Sequence, residues 1–157
     1  MPGVFLVRAD NTLVSMTQSD YLNEADLQQL IAAHPALLGS CTAVTEGDEC
    51  ELLLVKREMG VPDQDKGSDR WSLDHFYIDQ KCVPVMVEVK RSTSSDMRRA
   101  IVGQLLDYAA NGAVYWSVEG IKQALQQQWG GPENAQEKLG RVSRVGKSAG
   151  RRLLAKS

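Results

Sequence analysis

The chain is poor in the residues that mark a thiolate-metal or disulfide-stapled protein. Cys41, Cys50 and Cys82, with only His34 and His75, fall at no metal-ligand spacing, and three thiols cannot pair completely. Reduced thiols in a cytoplasmic protein are the simplest expectation. No apolar run approaches the roughly 20 residues that span a bilayer. The opening residues lack a basic segment followed by an apolar core, so neither a signal peptide nor a membrane partner is expected. No internal repeat is visible. The net charge of −2 over 157 residues names no polyanionic or polycationic partner. What is present is ordinary globular composition, 43% hydrophobic and 24% charged, on a chain long enough to bury one core.

That small net charge hides an uneven distribution. From Lys138 onward come Arg141, Arg144, Lys147, Arg151, Arg152 and Lys156, with no Asp or Glu. Between Glu46 and Asp74 acids lead. The split divides the chain into a domain over 1–135 and a basic C-terminal tail over 136–157. Such a pair suits a protein that holds a cation in one place and a polyanion in another. A solvated terminus would give the same pattern. The tail from Val142 has little apolar periodicity and is expected to be mobile or loosely helical.

Periodicity gives a coarse order of elements. Two short strands flank Asp10-Asn11, a turn-favouring pair. Asn23 can cap a helix with Glu24 and Asp26 in its first turn, Leu22 and Leu27 as a staple, and His34-Pro35 as its stop. Residues 51–55 read as a buried strand and 56–70 as a loop. Residues 71–78 form the next strand, and 79–81 turn the chain back into 82–90. Ser94 or Ser95 can cap a helix over 96–110, with Asn111-Gly112 as its end. A further strand over 113–116 and a helix from Ser117 to about Trp129 complete the core. The order α-β-β-β-α-β-α predicts an α/β fold, a mixed sheet flanked by helices.

The stretch that organises this order is 82–91. Val85, Val87 and Val89 alternate with Met86, Glu88 and Lys90, the period of a half-buried strand. One face therefore presents a carboxylate and an ammonium side by side. Antiparallel pairing brings Asp74, near the start of the preceding strand, to the same end of the sheet. Two carboxylates can hold a hard cation such as Mg²⁺, which keeps several of its waters, and the Val89 carbonyl could add a third oxygen. A cation so held neutralises a scissile phosphate and makes water nucleophilic. Lys90 can orient that water or stabilise the phosphate; whether it can act as a base depends on its pKa.

Asp74, then Glu88-Val89-Lys90, then Gln104-Leu105-Leu106-Asp107-Tyr108 in the next helix resemble the motifs of the PD-(D/E)XK nuclease superfamily. The last piece is similar to the Q-x-x-x-Y motif of its RecB-type branch, and Glu24 stands where that superfamily often has a first-helix acid. The resemblance covers roughly 23–116 and departs at the first acid, where the literal Pro-Asp pair is Pro62-Asp63. It implies a restriction-endonuclease-like core and a Mg²⁺- or Mn²⁺-dependent deoxyribonuclease, an endonuclease rather than an exonuclease, in repair, restriction or defence. It also implies metal ligation by Asp74, Glu88 and Val89, and catalytic positions at Asp74, Glu88, Lys90, Gln104, Glu24 and Tyr108. Read from the residues alone, Glu24 is a first-turn helix acid before it is a ligand, and Tyr108 is core before it is catalytic. Arg91, Arg98 and Arg99 are candidate contacts to DNA, the expected partner; the two helical arginines oppose the dipole of their own first turns, which favours a phosphate role. A homodimer is compatible with all of this. A nuclease fold that binds DNA or protein and cuts little is the alternative.

Overall fold

The computed structural model describes residues 4–19, 23–38, 51–64, 68–90 and 95–154, without the side chains of 95–97 and 144–154. Leu22, Cys41, Cys50, Arg91 and Ser94 lie outside the described residues. The chain is mixed α and β. Strands β1 (Val4–Val7) and β2 (Leu13–Met16) make a two-stranded antiparallel sheet. Helix α1 (Glu24–Ala33) and a 3₁₀ turn (Pro35–Leu38) follow. Strands β3 (Leu52–Pro62), β4 (Asp69–Asp79) and β5 (Pro84–Val87) form a second sheet in the order β3-β4-β5. Helices α2 (Ser95–Tyr115), α3 (Val118–Gln128) and α4 (Pro132–Leu154) complete the fold. No helix among the described residues is long and apolar enough to cross a membrane.

Every strand pair among the described residues is antiparallel, so the expected mixed sheet is corrected. The loop expected over 56–70 is mostly strand. Lys56 to Pro62 continue β3, because Met59 and Val61 bury themselves beside Leu73 of β4. Residues 113–116 are not a strand. Helix α2 runs on to Tyr115, with the Trp116 N–H just past its end still donating to the Gly112 carbonyl at 3.0 Å. Gly112 is not a stop but a seat for the Trp116 ring, which a Cβ at 112 would meet at 2.6 Å. Trp116 in turn packs on Phe76, ring centres 4.8 Å apart, and donates to the Gly60 carbonyl at 2.8 Å. Anchoring an indole in the core overrides the turn preference of Asn-Gly.

Two clusters make the core. Leu53, Val55, Met59, Val61, Leu73, Phe76 and Ile78 meet Tyr108, Leu125, Ala135 and Val142 from the later helices. Leu54, Tyr77 and Val89 meet Ile31 of α1. The strand expected over 82–90 is shorter, Pro84–Val87, because its ladder to β4 ends at His75↔Val87, but the alternation carries on past it: Val85, Val87 and Val89 join the α1 cluster while Met86 packs in the other. Hydrogen bonds lock helices to strands at their polar handles. Tyr77 donates to the Ile31 carbonyl at 3.1 Å, and the Trp129 indole to the Leu54 carbonyl at 2.9 Å. Asn23 caps α1 by accepting from the Asp26 N–H at 2.9 Å, and Ser117 caps α3 by accepting from Gly120 at 3.0 Å, as the sequence leads one to expect. Helix α4 runs unbroken across 135/136, and Val142 is a core residue, so the segment from 142 is helical rather than loose.

Candidate active site

The ladder between β4 and β5 ends at His75↔Val87. One step further, the side chains take over from the backbone. Asp74 Oδ2 accepts from the Val89 N–H at 2.7 Å, and the Asp74 N–H points to Glu88 Oε2 at 3.5 Å. Each acid thus closes the backbone beside the other, and the two carboxylates are fixed as neighbours where the strands part. Asp79 fixes the other end of the hairpin, accepting from the N–H groups of Lys81 at 2.8 Å and Val83 at 2.7 Å. Its turn places Cys82 at a φ of 61°.

The Glu88 side chain is 2% exposed. Its Oε1 accepts from Lys90 Nζ at 2.9 Å and from Gln104 Nε2 at 3.1 Å. Gln104 also contacts the Tyr108 hydroxyl, one turn along α2, which lies 3.4 Å from the Ser72 carbonyl. Tyr108 is buried, with its ring tilted against Trp71 at 6.2 Å. From the other side, Glu24 at the start of α1 brings Oε2 to 3.8 Å from Lys90 Nζ. Asp74, Glu88, Lys90, Gln104, Tyr108 and Glu24 therefore meet, drawn from β4, the segment after β5, α2 and α1. Val89 reaches the group through its N–H. Arg98 and Arg99 are exposed on the first turns of α2. Asp63, the literal Pro-Asp acid, is elsewhere and pairs with Arg70 at 2.8 Å.

The electrostatics make Lys90 an ammonium. Burial disfavours its charge, but the Glu88 hydrogen bond and the charges of Glu88, Asp74 and Glu24 outweigh it and raise its pKa above the ordinary 10.5. It stands as the countercharge of an acidic cluster. Proteins of known kind offer no further guide: comparison with protein-family models, with curated proteins and with solved structures found no match.

The sequence leaves His75 as structural or solvent-exposed. It is fully buried on β4, its Nε2 2.8 Å from the Gln28 carbonyl of α1, so that nitrogen donates. Its Nδ1, and Arg57 Nε on the facing strand, are buried without a hydrogen-bond partner among the described residues. Burial lowers the His75 pKa below 6.5, helped by Arg57 and opposed by the Gln28 hydrogen bond and by Asp74 and Glu58. His75 thereby ties the helix that carries Glu24 to the strand that carries Asp74. Its only signal in the sequence was a polar residue at a core position of a strand.

The donor set can be tested against a divalent cation. Among the described residues, no three His, Cys, Asp or Glu side chains group to hold a metal. Two carboxylates do adjoin, one nearly sealed from water, and Lys90 is the cation that meets Glu88. Oxygen ligands from one or two carboxylates, the rest being water, are what Mg²⁺ accepts. The pair fits a hard, largely hydrated cation and does not fit an all-protein cage.

Proposed function

We propose that this protein is a Mg²⁺- or Mn²⁺-dependent nuclease that hydrolyses phosphodiester bonds in DNA, on a restriction-endonuclease-like core. One observation carries the reading: two adjoining carboxylates, a lysine held as an ammonium and a helix-borne glutamine converge on one end of the sheet. Asp74 and Glu88 hold the cation, which when bound supplies charge neutralisation at the phosphate and acidifies water. The chain's own groups do the rest. Lys90, protonated, faces the developing negative charge of the phosphorane. Gln104 holds Glu88 by one amide hydrogen and positions that carboxylate; its contact with Tyr108 fixes the amide plane. Glu24 balances Lys90 from α1. Arg98 and Arg99 track phosphates beside the scissile bond.

A specific observation supports a second reading. Lys90 already meets Glu88 in an ion pair at 2.9 Å, so that carboxylate is compensated without a metal. A fold that binds DNA and cuts little would look the same. The two are separated by measuring DNA binding in EDTA and cleavage in Mg²⁺ and Mn²⁺, on plasmid and on single-stranded oligonucleotides. The nuclease reading expects metal-dependent cleavage that Lys90→Ala lowers on the order of a hundredfold or more, the loss typical of one group stabilising developing anionic charge. Binding without cleavage by the wild-type protein would replace it with the binding module.

A further inference from the structure

Arg70 and Trp71 stand beside the carboxylate cluster without a part in its chemistry. The Trp71 ring leans on Tyr108, centres 6.2 Å apart; Tyr108 touches Gln104, and Gln104 donates to Glu88. One chain of contacts therefore joins this indole to the carboxylate pair. Trp71 is only partly buried. The other two indoles are tied into the core through their N–H groups, Trp116 to the Gly60 carbonyl and Trp129 to the Leu54 carbonyl. Among the described residues no such bond holds Trp71.

A guanidinium lies over the Trp71 ring, with Arg70 Cζ 4.8 Å from the ring centre. The backbone puts it there. The ladder steps from Val61↔Trp71 to Pro62↔Asp69, which leaves Arg70 as the extra residue of a bulge. A bulge bends its strand and re-aims a side chain, and this one turns Arg70 back over the next ring. Asp63 holds Arg70 by an ion pair of 2.8 Å, yet the Arg70 side chain stays 62% exposed. An exposed cation on an indole and an exposed ion pair are both weak contacts. A nucleobase stacked on an aromatic ring or on a guanidinium plane outweighs either.

Charge decides which part of a nucleic acid meets this pair. Past His75, where β5 stops, β3 and β4 run on as a two-stranded ribbon to Pro62↔Asp69. Glu58, Asp63 and Asp69 belong to it or adjoin it, and acids repel phosphates but not bases. The exposed arginines lie the other way. Along α2, Arg98 and Arg99 precede Gln104 by about 7–9 Å and Tyr108 follows it by about 6 Å, at roughly 1.5 Å per residue. That is about 15 Å end to end, a few nucleotides of one strand at roughly 3.4 Å each. A duplex would carry phosphates of both strands toward the acidic ribbon. A single strand can lay its phosphates along Arg98 and Arg99 and turn a base to Trp71.

Resting on the nuclease reading, we propose that Arg70 and Trp71 form a base-stacking platform and that the site takes single-stranded DNA, with an unstacked base held beside the scissile phosphate. The test is titration of the full chain with short oligo-dT and with a blunt duplex of equal length, in EDTA so that nothing is cut. Wild type should bind the single strand more tightly than the duplex, and stacking should quench its tryptophan fluorescence. Trp71→Phe keeps an aromatic ring at a partly buried position, so it should still bind oligo-dT, but the quenching should vanish because Trp116 and Trp129 are held in the core. Trp71→Leu, checked for wild-type circular dichroism, should lose roughly 5–150-fold in affinity for the single strand, the loss typical of one stacked base, and little for the duplex. Quenching that persists in Trp71→Phe overturns the proposal, and so does duplex bound as tightly as single strand. Cleavage in Mg²⁺ and Mn²⁺ is read in parallel on the same two DNAs. Quenching through Trp71 without cleavage removes the nuclease and leaves the platform; cleavage of both DNAs at one rate, unchanged in Trp71→Leu, keeps the nuclease and overturns the platform.

Discussion

Replacing Lys90 by Met probes the site through stability rather than through activity. The substitution keeps the aliphatic stem and removes the ammonium 2.9 Å from Glu88. A hydrogen bond to a charged group contributes about 1.5–3 kcal/mol. Lys90 is 27% exposed, so water screens part of this, whereas Glu88 at 2% cannot be rehydrated in place. A loss of about 2 kcal/mol in EDTA is expected, because Gln104 still donates to Glu88. For a chain of this size that lowers Tm by roughly 4–8 °C. A divalent cation should narrow the difference. In wild type the cation competes with Lys90 for Glu88; in Lys90→Met it meets an uncompensated carboxylate pair. The competing pair is of the same size as the stability loss, so affinity for Mn²⁺ should rise on the order of tenfold or more. Thermal scans in EDTA and at a Mn²⁺ concentration about 100 times Kd, where saturation adds about 2.7 kcal/mol, read both effects. Equal Tm in EDTA together with equal Mn²⁺ affinity would refute the reasoning, since neither outcome is compatible with Lys90 as the cluster's countercharge.

Gln104→Ala should slow cleavage less than Lys90→Ala does, since a neutral amide positions Glu88 rather than neutralising charge; equal losses would move the phosphate-facing role to α2. Stability should fall with acid below the ordinary histidine pKa of about 6.5. The unfolded chain takes a proton there that buried His75 refuses, with a slope of at most about 1.4 kcal/mol per pH unit. Urea midpoints between pH 7.5 and 5.5 should show this slope in wild type and lose it in His75→Asn; an unchanged slope assigns it elsewhere. Deleting 144–157, which spares the core residue Val142, should leave the fold intact but flatten the salt dependence of DNA binding by about one unit of log–log slope per lost phosphate contact. An unchanged slope makes the basic tail a solvated terminus.

The candidate site was more legible in the sequence than the sheet around it. Alternation at 85–90 and hairpin pairing across 79–81 sufficed to bring Asp74 beside Glu88 and Lys90, because both are local rules. Helical spacing joined Gln104 to Tyr108 for the same reason. Non-local packing was hidden. Nothing near Asn111-Gly112 reveals that Trp116 inserts between Phe76 and the Gly60 carbonyl and so keeps the chain helical. Burial of Val61 beside Leu73, which extends the long hairpin, depends on a partner strand that the loop-like composition of 56–70 disguised. His75 was illegible as a link because its partner is a backbone carbonyl 47 residues away, which leaves no side-chain signature.

The central claim is that Asp74 and Glu88 together hold a divalent cation, and calorimetric titration of Mn²⁺ into wild type and Asp74→Asn tests it most directly. Asn at 74 can still accept from the Val89 N–H through its amide oxygen, so the strand end should remain closed. Removing one of two neighbouring negative charges should leave stability in EDTA unchanged or higher. The account predicts measurable Mn²⁺ binding to wild type and a large loss of affinity in Asp74→Asn. Equal affinity in the two proteins, with the loss appearing instead in Asp63→Asn, would contradict it and move the metal to the Pro62-Asp63 acid.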